Sequence, residues 1–174
     1  MLILVTGGVR SGKSRHAESL LSDAPSVTYV APGPSADEDS DPDWVARIAA
    51  HQARRPASWT TVETRDLTSA LRLDGPVLVD CLGTWLTSVL DSRSLWDVPP
   101  SEVTLAVDDQ LDDVVAALAV RDDVVLVTNE VGLGVVPAHR SGRLFRDLLG
   151  LVNQRIATAC DEVHLVVAGR VLRL

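Results

Sequence analysis

The sequence predicts an α/β fold, with a mostly parallel β-sheet flanked by helices, in a single domain that spans residues 1–174. Short apolar runs alternate along the chain with longer segments of helical periodicity, a pattern typical of a buried parallel sheet. A chain of 174 residues has the length of one domain with a substantial core. The sequence contains no internal repeat that would indicate a second domain.

Seven short apolar runs are predicted to form the strands. Most are rich in valine, leucine or isoleucine, and each is too short to be a typical buried helix. The first run begins at the second residue and leads into a glycine-rich loop. The predicted strands span residues 2–6, 27–30, 59–62, 76–80, 124–128, 163–168 and 171–174.

Five segments with helical spacing of apolar residues are predicted between these strands. Asp41, followed by a proline, is a predicted N-cap, and Ser101 is a predicted cap of a later helix. The acidic, proline-rich segment 32–43 lacks apolar spacing and is predicted to be a solvated loop. The predicted helices span residues 13–21, 42–54, 82–90, 101–120 and 140–159.

Composition restricts the class of partner. A net charge of -8 repels phosphate backbones, which argues against a general nucleic-acid partner. No apolar run approaches the ~20 residues that a membrane span requires, so none is predicted. Cys81 and Cys160 lie far apart, and the first residues resemble a strand rather than a secretory leader, so we expect a cytoplasmic protein.

The segment GGVRSGKS matches the pattern of a phosphate-binding loop, or P-loop, between a strand and a helix. Glycines let backbone N–H groups turn toward a phosphate, Lys13 reaches the outer phosphates, and Ser14 binds Mg²⁺. The alternative is a glycine turn that only joins the two elements, but the complete motif favours nucleotide binding. The predicted contacts are Gly7, Gly8, Val9, Arg10, Ser11, Gly12, Lys13 and Ser14.

Acidic residues follow three of the predicted strands. Asp80 ends the run PVLVD, where an acid in P-loop proteins commonly orients Mg²⁺, although an acid there also caps helices. Glu130 follows a neighbouring apolar run and competes with Asp80 for the metal. Glu63 ends a third run, which by itself is weak evidence for a role.

His51 lies in the basic segment RIAAHQARRP. Helical spacing places Arg47 one turn before it and Arg54 or Arg55 one turn after it, which predicts a cationic stripe suited to a triphosphate. Nearby cations also disfavour imidazolium and keep the ring nucleophilic. The residues alone nevertheless favour an exposed histidine on a solvated helix.

Five segments, taken in order, resemble a known family across nearly the whole chain. They are GGVRSGKSRHAE, RIAAHQARRP, VDCLGTWLT, TNEVGLGVVP and RLFRDLLGLVNQR. The family is that of the bifunctional adenosylcobinamide kinase / adenosylcobinamide-phosphate guanylyltransferases. The resemblance implies a RecA-like P-loop NTPase fold, a cytoplasmic homotrimer, and a role in cobalamin biosynthesis with ATP and GTP as nucleotide substrates and Mg²⁺ as cofactor.

The same resemblance implies two reactions. Adenosylcobinamide would first be phosphorylated from ATP or GTP, and GMP would then pass from GTP to adenosylcobinamide phosphate through guanylylated His51. Beyond the P-loop, its implied nucleotide contacts are Ala31, Pro32, Gly33, Gln52, Ala53, Arg54, Arg55, Glu63 and Asp80, with Ser14 and Asp80 as metal ligands and Lys13 as a second catalytic residue.

Two departures and two rival functions accompany this resemblance. The segment 32–43 is longer and more acidic than the usual link, which leaves the contacts at Pro32 and Gly33 open. Ala50 replaces a second histidine that some relatives carry. The rivals are a simple small-molecule P-loop kinase without a covalent intermediate and a RecA-like nucleic-acid ATPase.

Two further groups of residues are assigned to structure rather than to substrate. The four tryptophans are assigned to the core or to a subunit interface. Arg140, Arg143 and Arg146 recur at intervals of three on one predicted helix. They are assigned to a solvated face, with phosphate binding or pairing with Asp147 and the acidic surface as the alternatives.

Overall fold

A computed structural model describes residues 1–174, and the chain forms one seven-stranded sheet with helices on both faces. The strand order is β3-β2-β4-β5-β1-β6-β7, in which the first six strands are parallel and β7 runs antiparallel to β6. The strands are β1 (Leu2–Thr6), β2 (Thr28–Ala31), β3 (Thr60–Glu63), β4 (Val77–Asp80), β5 (Val124–Val127), β6 (Glu162–Val167) and β7 (Arg170–Arg173).

Six α-helices and one 3-10 turn at Leu95–Asp97 connect the strands. The helices are α1 (Lys13–Leu20), α2 (Pro42–Gln52), α3 (Leu67–Ala70), α4 (Leu82–Ser92), α5 (Pro100–Leu118) and α6 (Arg140–Ala159). All seven predicted strands and all five predicted helices are present, which confirms the predicted fold class. The short α3 and the 3-10 turn were not predicted, because segments of three or four residues are too short to show helical periodicity.

The two predicted helix caps have different outcomes. The Asp41 carboxylate accepts hydrogen bonds from the backbone N–H groups of Asp43 and Trp44, both at 3.0 Å, so this cap is confirmed. The Ser101 cap is wrong, because α5 already begins at Pro100 and its N-cap is Pro99. Proline suits the first helical position, where no N–H partner is required.

The sheet is buried on both faces, but unequally. Residues of β1 alternate between the faces, so that Leu4 packs with α4, α5 and α6, whereas Ile3 and Val5 pack on the side of α1. The first cluster contains 26 buried residues and the second 11, so most of the apolar burial lies on the α4–α6 side. No residue of α2 is fully buried, and this helix lies over the more open face.

The strand order determines where polar side chains can meet. β5 lies between β1 and β4, and β2 flanks β4, so the carboxyl ends of these four parallel strands share one edge of the sheet. One strand, β5, lies between the P-loop strand β1 and the strand β4 that ends in Asp80. This mostly parallel sheet agrees with the RecA-like fold that the resemblance implies, although no strand order was predicted. None of the helices combines the length and apolar character that crossing a membrane requires.

Candidate active site

The P-loop joins β1 to α1 in a conformation that its glycines permit. A Cβ on Gly7 would lie 2.4 Å from the carbonyl oxygen of Val166, so no other residue fits there without movement. Gly12 has a φ of +97°, a left-handed conformation that side chains rarely adopt. The chain turns between them, with the Ser11 N–H donating to the Gly8 carbonyl at 3.3 Å. The sequence motif therefore forms a compact loop at the N-terminus of α1.

The hairpin between β6 and β7 supports the P-loop from behind. Its two turn residues, Ala168 and Gly169, have φ values of 49° and 75°. The Gly169 N–H donates to the Ser11 carbonyl at 2.8 Å, and its Cα lies 3.5 Å from where a Gly12 Cβ would be. The last hairpin of the chain thus holds the first loop in place.

Lys13 lies inside the P-loop with only 5% of its surface exposed. Its ammonium group donates to the Gly8 carbonyl at 3.3 Å. Burial lowers the pKa of Lys13, while the nearby Cys81 and Asp80 act in the opposite direction. The hydroxyl oxygens of Thr6 and Ser11 are buried without a hydrogen-bond partner. Unpaired polar atoms beside a buried cation indicate a site built to receive a polar ligand.

His51 lies near the C-terminus of α2 and points toward the end of β4. Its Nδ1 is 3.6 Å from Asp80 Oδ2 and 3.5 Å from the Tyr29 hydroxyl oxygen. The Tyr29 hydroxyl donates to the same Asp80 oxygen at 3.0 Å. Burial lowers the pKa of His51; Asp80 opposes this shift, and Arg54 and Arg47 add to it. The structure therefore favours a neutral imidazole at this position.

Two arginines hold the C-terminal part of α2 against the rest of the domain. Arg54 makes two hydrogen bonds to the Glu18 carboxylate on α1, at 2.9 and 3.2 Å. The Arg55 guanidinium lies 3.3 Å from the centroid of the Tyr29 ring and donates to the Thr61 hydroxyl at 2.7 Å. These contacts fix the end of the helix on which His51 is carried.

Two cavities meet at His51 and Arg47, which line both. The first, the P-loop cavity, lies between the P-loop and α2. The second, the α2 pocket, lies between α2, the ends of β2, β3 and β4, and the start of α4. Among the predicted residues, the P-loop cavity is lined by Arg10, Ser11, Gly12, Lys13, Ser14, His51 and Arg54. The α2 pocket is lined by Ala31, Gly33, His51, Gln52, Arg55, Glu63 and Asp80.

Five predicted contact residues line neither cavity. Gly7 is buried under the P-loop, and Gly8 and Val9 are exposed on it. Pro32 is buried, and its carbonyl accepts a hydrogen bond from the Ser88 hydroxyl at 3.1 Å. Ala53 is exposed at the C-cap of α2. Their assignment as nucleotide contacts stays a prediction.

The α2 pocket also contains residues that were not predicted. Tyr29 is buried in the middle of β2, and a buried tyrosine needs a partner for its hydroxyl, which is the signal that could have identified it. Trp44, assigned above to core or interface, lies in the pocket wall and donates from Nε1 to the Pro34 carbonyl at 3.0 Å. No local pattern distinguished the other unpredicted lining residues, which are Pro34, Ile48, Thr61, Cys81, Thr84 and Asn129.

Asp80 and Glu130 occupy different environments. Asp80 lies in the α2 pocket, beside Tyr29 and His51. Glu130 Oε1 accepts a hydrogen bond from the Gly132 N–H at 2.5 Å, and its own N–H donates to the Gly7 carbonyl. Glu130 lines neither cavity, so the structure gives Asp80 the more direct access to a bound ligand.

The two predicted metal ligands have oxygen donors of the kind that Mg²⁺ prefers, but Ser14 lines the P-loop cavity and Asp80 lines the α2 pocket. No group of three or more histidine, cysteine or acidic residues forms a metal cluster. A hydroxyl from Ser14 and a carboxylate from Asp80 offer few protein ligands, and Mg²⁺ typically takes the remaining ones from phosphates and water.

The arginines of α6 lie on a solvated face of the helix and donate hydrogen bonds to backbone carbonyls of adjacent loops. Arg140 donates to the carbonyls of Trp96 and Val98, and Arg143 donates to those of Pro137 and Ala138. The third, Arg146, donates to the Gly132 carbonyl at 3.0 Å. Arg140 and Arg143 are exposed and Arg146 is partly exposed, which agrees with the assignment to a solvated face. The three guanidinium groups also supply hydrogen bonds to the adjacent loops.

The fold and the site define a P-loop nucleotide-binding enzyme, with a buried P-loop lysine and a neutral histidine sharing one cavity. Comparison with known sequences is more specific, because the family described as cobinamide kinase / cobinamide phosphate guanyltransferase matches residues 3–174. The chain belongs to this family. It is therefore a kinase and guanylyltransferase, and the resemblance noted from the sequence is confirmed.

Three relatives show how complete the match is. The bifunctional adenosylcobalamin biosynthesis protein CobU of Salmonella typhimurium is 46% identical over 181 residues, covering 97% of each chain. CobU of Escherichia coli is 42% identical with the same coverage. CobP of Pseudomonas aeruginosa, another bifunctional adenosylcobalamin biosynthesis protein, is 38% identical over 173 residues, covering 95% of this chain and 92% of its own.

Proposed function

We propose that this enzyme phosphorylates adenosylcobinamide from ATP or GTP and then transfers GMP from GTP to adenosylcobinamide phosphate through guanylylated His51, within cobalamin biosynthesis. The observation that carries the proposal is the position of His51. His51 lines the P-loop cavity together with Lys13 and Ser14, although it lies far from both of them in the sequence. A nucleotide with its phosphates in the P-loop would therefore lie within reach of this ring.

In the kinase step, the chain contributes positioning and positive charge. The N–H groups of the P-loop and the N-terminus of α1 attract the phosphates, and Lys13 balances the charge that develops on the transferred phosphoryl group. Ser14 and Asp80 would hold Mg²⁺, which supplies further neutralisation between the outer phosphates when it is bound. Arg47 and Arg54 extend the positive surface along the wall formed by α2.

In the transferase step, His51 acts as the nucleophile. A neutral ring attacks the α-phosphorus of GTP, a P–N bond forms, and pyrophosphate leaves with the electron pair of the broken P–O bond. The lowered pKa of His51, caused mainly by burial, favours this neutral form. The phosphate of the acceptor then attacks the same phosphorus and returns the electron pair to the ring.

The α2 pocket suits the guanosine end of GTP. Trp44 and the Arg55–Tyr29 pair offer flat surfaces for a base, and the Glu63 carboxylate accepts hydrogen bonds of the kind that guanine N–H groups donate. Close packing supports the pocket wall, because a Cβ on Gly33 would lie 3.2 Å from atoms of both Trp44 and Thr84. Pro32 and Ala53 would support this wall through the backbone.

A cytoplasmic homotrimer is part of the same proposal. Both cysteines, Cys81 and Cys160, are free thiols, as suits a reducing compartment. Leu133, Val135 and Val136 expose apolar surface on the loop after β5, which is available for contacts between subunits. Sedimentation equilibrium of the purified protein measures the assembly, and a monomer at micromolar concentration would contradict it.

The decisive experiment uses GTP labelled in turn at the α- and γ-phosphates. We expect the protein to retain the α-label in a form that acid releases and alkali spares, as a phosphoramidate requires. His51→Ala should abolish this retention and GMP transfer while leaving substantial phosphorylation of adenosylcobinamide. Alanine preserves the helix, so the loss should not reflect unfolding.

His139→Ala is the matched control, because it removes an exposed histidine that lines neither cavity. Retention of α-label by His51→Ala would show that another residue is the nucleophile. Lack of an adduct in the unaltered enzyme would favour a simple kinase. Hydrolysis stimulated by polynucleotides would favour a nucleic-acid ATPase instead.

A further inference from the structure

The polar contacts of His51 identify which of its two ring nitrogens is free to react. Nδ1 lies 3.5 Å from the Tyr29 hydroxyl oxygen and 3.6 Å from Asp80 Oδ2. Both distances are slightly long for a hydrogen bond, as is common in active sites before the substrate binds. No protein group forms a hydrogen bond to Nε2. One nitrogen therefore faces a polar pair, whereas the other has no protein partner.

Both atoms that face Nδ1 are hydrogen-bond acceptors. Asp80 Oδ2 belongs to a carboxylate, which only accepts while it is ionised. The Tyr29 hydroxyl already gives its hydrogen to that carboxylate at 3.0 Å, so toward His51 it offers only its oxygen lone pairs. A neutral imidazole satisfies two acceptors only by carrying its hydrogen on Nδ1.

We propose that Tyr29 and Asp80 are positioning residues that hold the proton of His51 on Nδ1, so that Nε2 is the atom that takes up the guanylyl group. This inference rests on the proposed function of His51 as the nucleophile. The Nε2 lone pair forms the P–N bond, the bond from the α-phosphorus to the bridging oxygen breaks, and pyrophosphate leaves with that electron pair. The ring becomes positively charged and keeps its Nδ1 proton, and Asp80 stabilises that charge.

Asp80 can serve this role and also orient a metal, because its two oxygens have different surroundings. Oδ2 faces Tyr29 and His51, whereas Oδ1 accepts no hydrogen bond from the protein. Tyr29 has no such second role, since its hydroxyl contacts only Asp80 and His51. Tyr29→Phe therefore separates the orientation of His51 from metal binding, and the ring that stacks on Arg55 is retained.

The first test reads the tautomer directly by NMR of protein labelled with ¹⁵N at histidine, with His51→Ala used to assign the signals. At rest, above the pKa of His51, we expect a protonated Nδ1 and an unprotonated Nε2. In the adduct trapped with GTP, we expect phosphorus coupling at Nε2. A resting Nε2–H tautomer, or coupling at Nδ1, would overturn the inference.

The second test compares the two reactions in Tyr29→Phe. Loss of one hydrogen bond that orients the ring should slow single-turnover guanylylation of His51 about 10-fold. The rate of guanylylation relative to ATP-dependent phosphorylation of adenosylcobinamide should therefore fall, because only guanylylation uses the ring of His51 as a nucleophile. An equal loss in both reactions would overturn the positioning role. If the unaltered enzyme forms no adduct, the proposed function fails, whereas the resting tautomer still decides whether Tyr29 and Asp80 orient His51.

Discussion

The P-loop cavity and the α2 pocket meet at His51, but they are built in different ways. The P-loop side depends on eight consecutive residues, and its shape follows from backbone torsions at positions such as Gly7 and Gly12. The α2 pocket collects side chains from β2, β3, β4, α2, α4 and the segment after β5. Under the proposed function, the P-loop side binds phosphates in both reactions, whereas the α2 pocket adds selectivity for the base, and His51 belongs to both.

The largest expected effect is that of Lys13→Ala, which should impair both reactions. Lys13 is the only lysine of the chain, and no second buried cation lies in the P-loop. Removing a charge that stabilises the transferred phosphoryl group typically costs about 10²–10³-fold in rate. Phosphorylation and α-label retention should be measured on the same folded preparation. Normal turnover in either reaction would show that this reaction does not depend on Lys13.

The α2 pocket predicts a selective effect for Glu63→Gln. Under the proposed contact between Glu63 and guanine, loss of this charged acceptor should reduce kcat/KM for GMP transfer about 10- to 100-fold. Phosphorylation with ATP should fall much less, because adenine does not offer the same donors. Parallel assays with ATP and GTP measure the difference. An equal fall with both nucleotides would show that Glu63 supports the pocket rather than recognising the base.

Gly7→Ala tests how strictly the backbone sets the P-loop. The new methyl group would lie 2.4 Å from the carbonyl oxygen of Val166, and such overpacking typically lowers the free energy of unfolding by about 1–3 kcal/mol. Gly8→Ala is the matched control, because a methyl group at Gly8 would have no atom within 4 Å and the φ of Gly8 is not positive. Urea denaturation measures the free energy of unfolding of both variants. Equal values would show that the loop accommodates a methyl group at Gly7 without loss of stability.

The smallest expected effect is a shift in the pH dependence of His51 guanylylation in Arg47→Gln. Burial lowers the pKa of His51, so guanylylation should persist below the usual histidine pKa of about 6.5 and fall only as the lower pKa is reached. Arg47 adds to the lowering, so Arg47→Gln should raise this pKa and move the acid limb toward neutral pH. The pH profile of single-turnover α-label retention measures the limb. If the acid limb of the pH profile does not move, Arg47 does not influence the pKa of His51.

Much of the fold was predictable because its signals are local. The strand β1 and both ends of α6 were predicted to the residue, and β5 to within one residue, since apolar runs and helical periodicity mark them clearly. The P-loop was equally clear. The start of α5 was misassigned because Ser101 offered a cap, whereas the proline before it fixes the helical torsion one residue earlier.

The site was only partly predictable. His51 and Asp80 were identified as candidates, but their meeting within 3.6 Å depends on β2 and β4 being neighbours and on α2 crossing their ends. Tyr29 and Asn129 were missed, because single polar residues in or after apolar strands have no spacing that identifies them. The α6 arginines were placed correctly on a solvated face, but the carbonyls that they bind were not identified, since these belong to loops outside the helix itself.

The sequence by itself determined the alternation of strands and helices, the phosphate-binding loop and the basic character of the helix that carries His51. These properties depend on residues within a few positions of one another, so local sequence patterns are enough to predict them. Only the tertiary structure decided that His51 lies beside Tyr29 and Asp80 and that the last hairpin supports the first loop. Those contacts require strand order and helix placement, which follow from packing of the whole core rather than from any local segment.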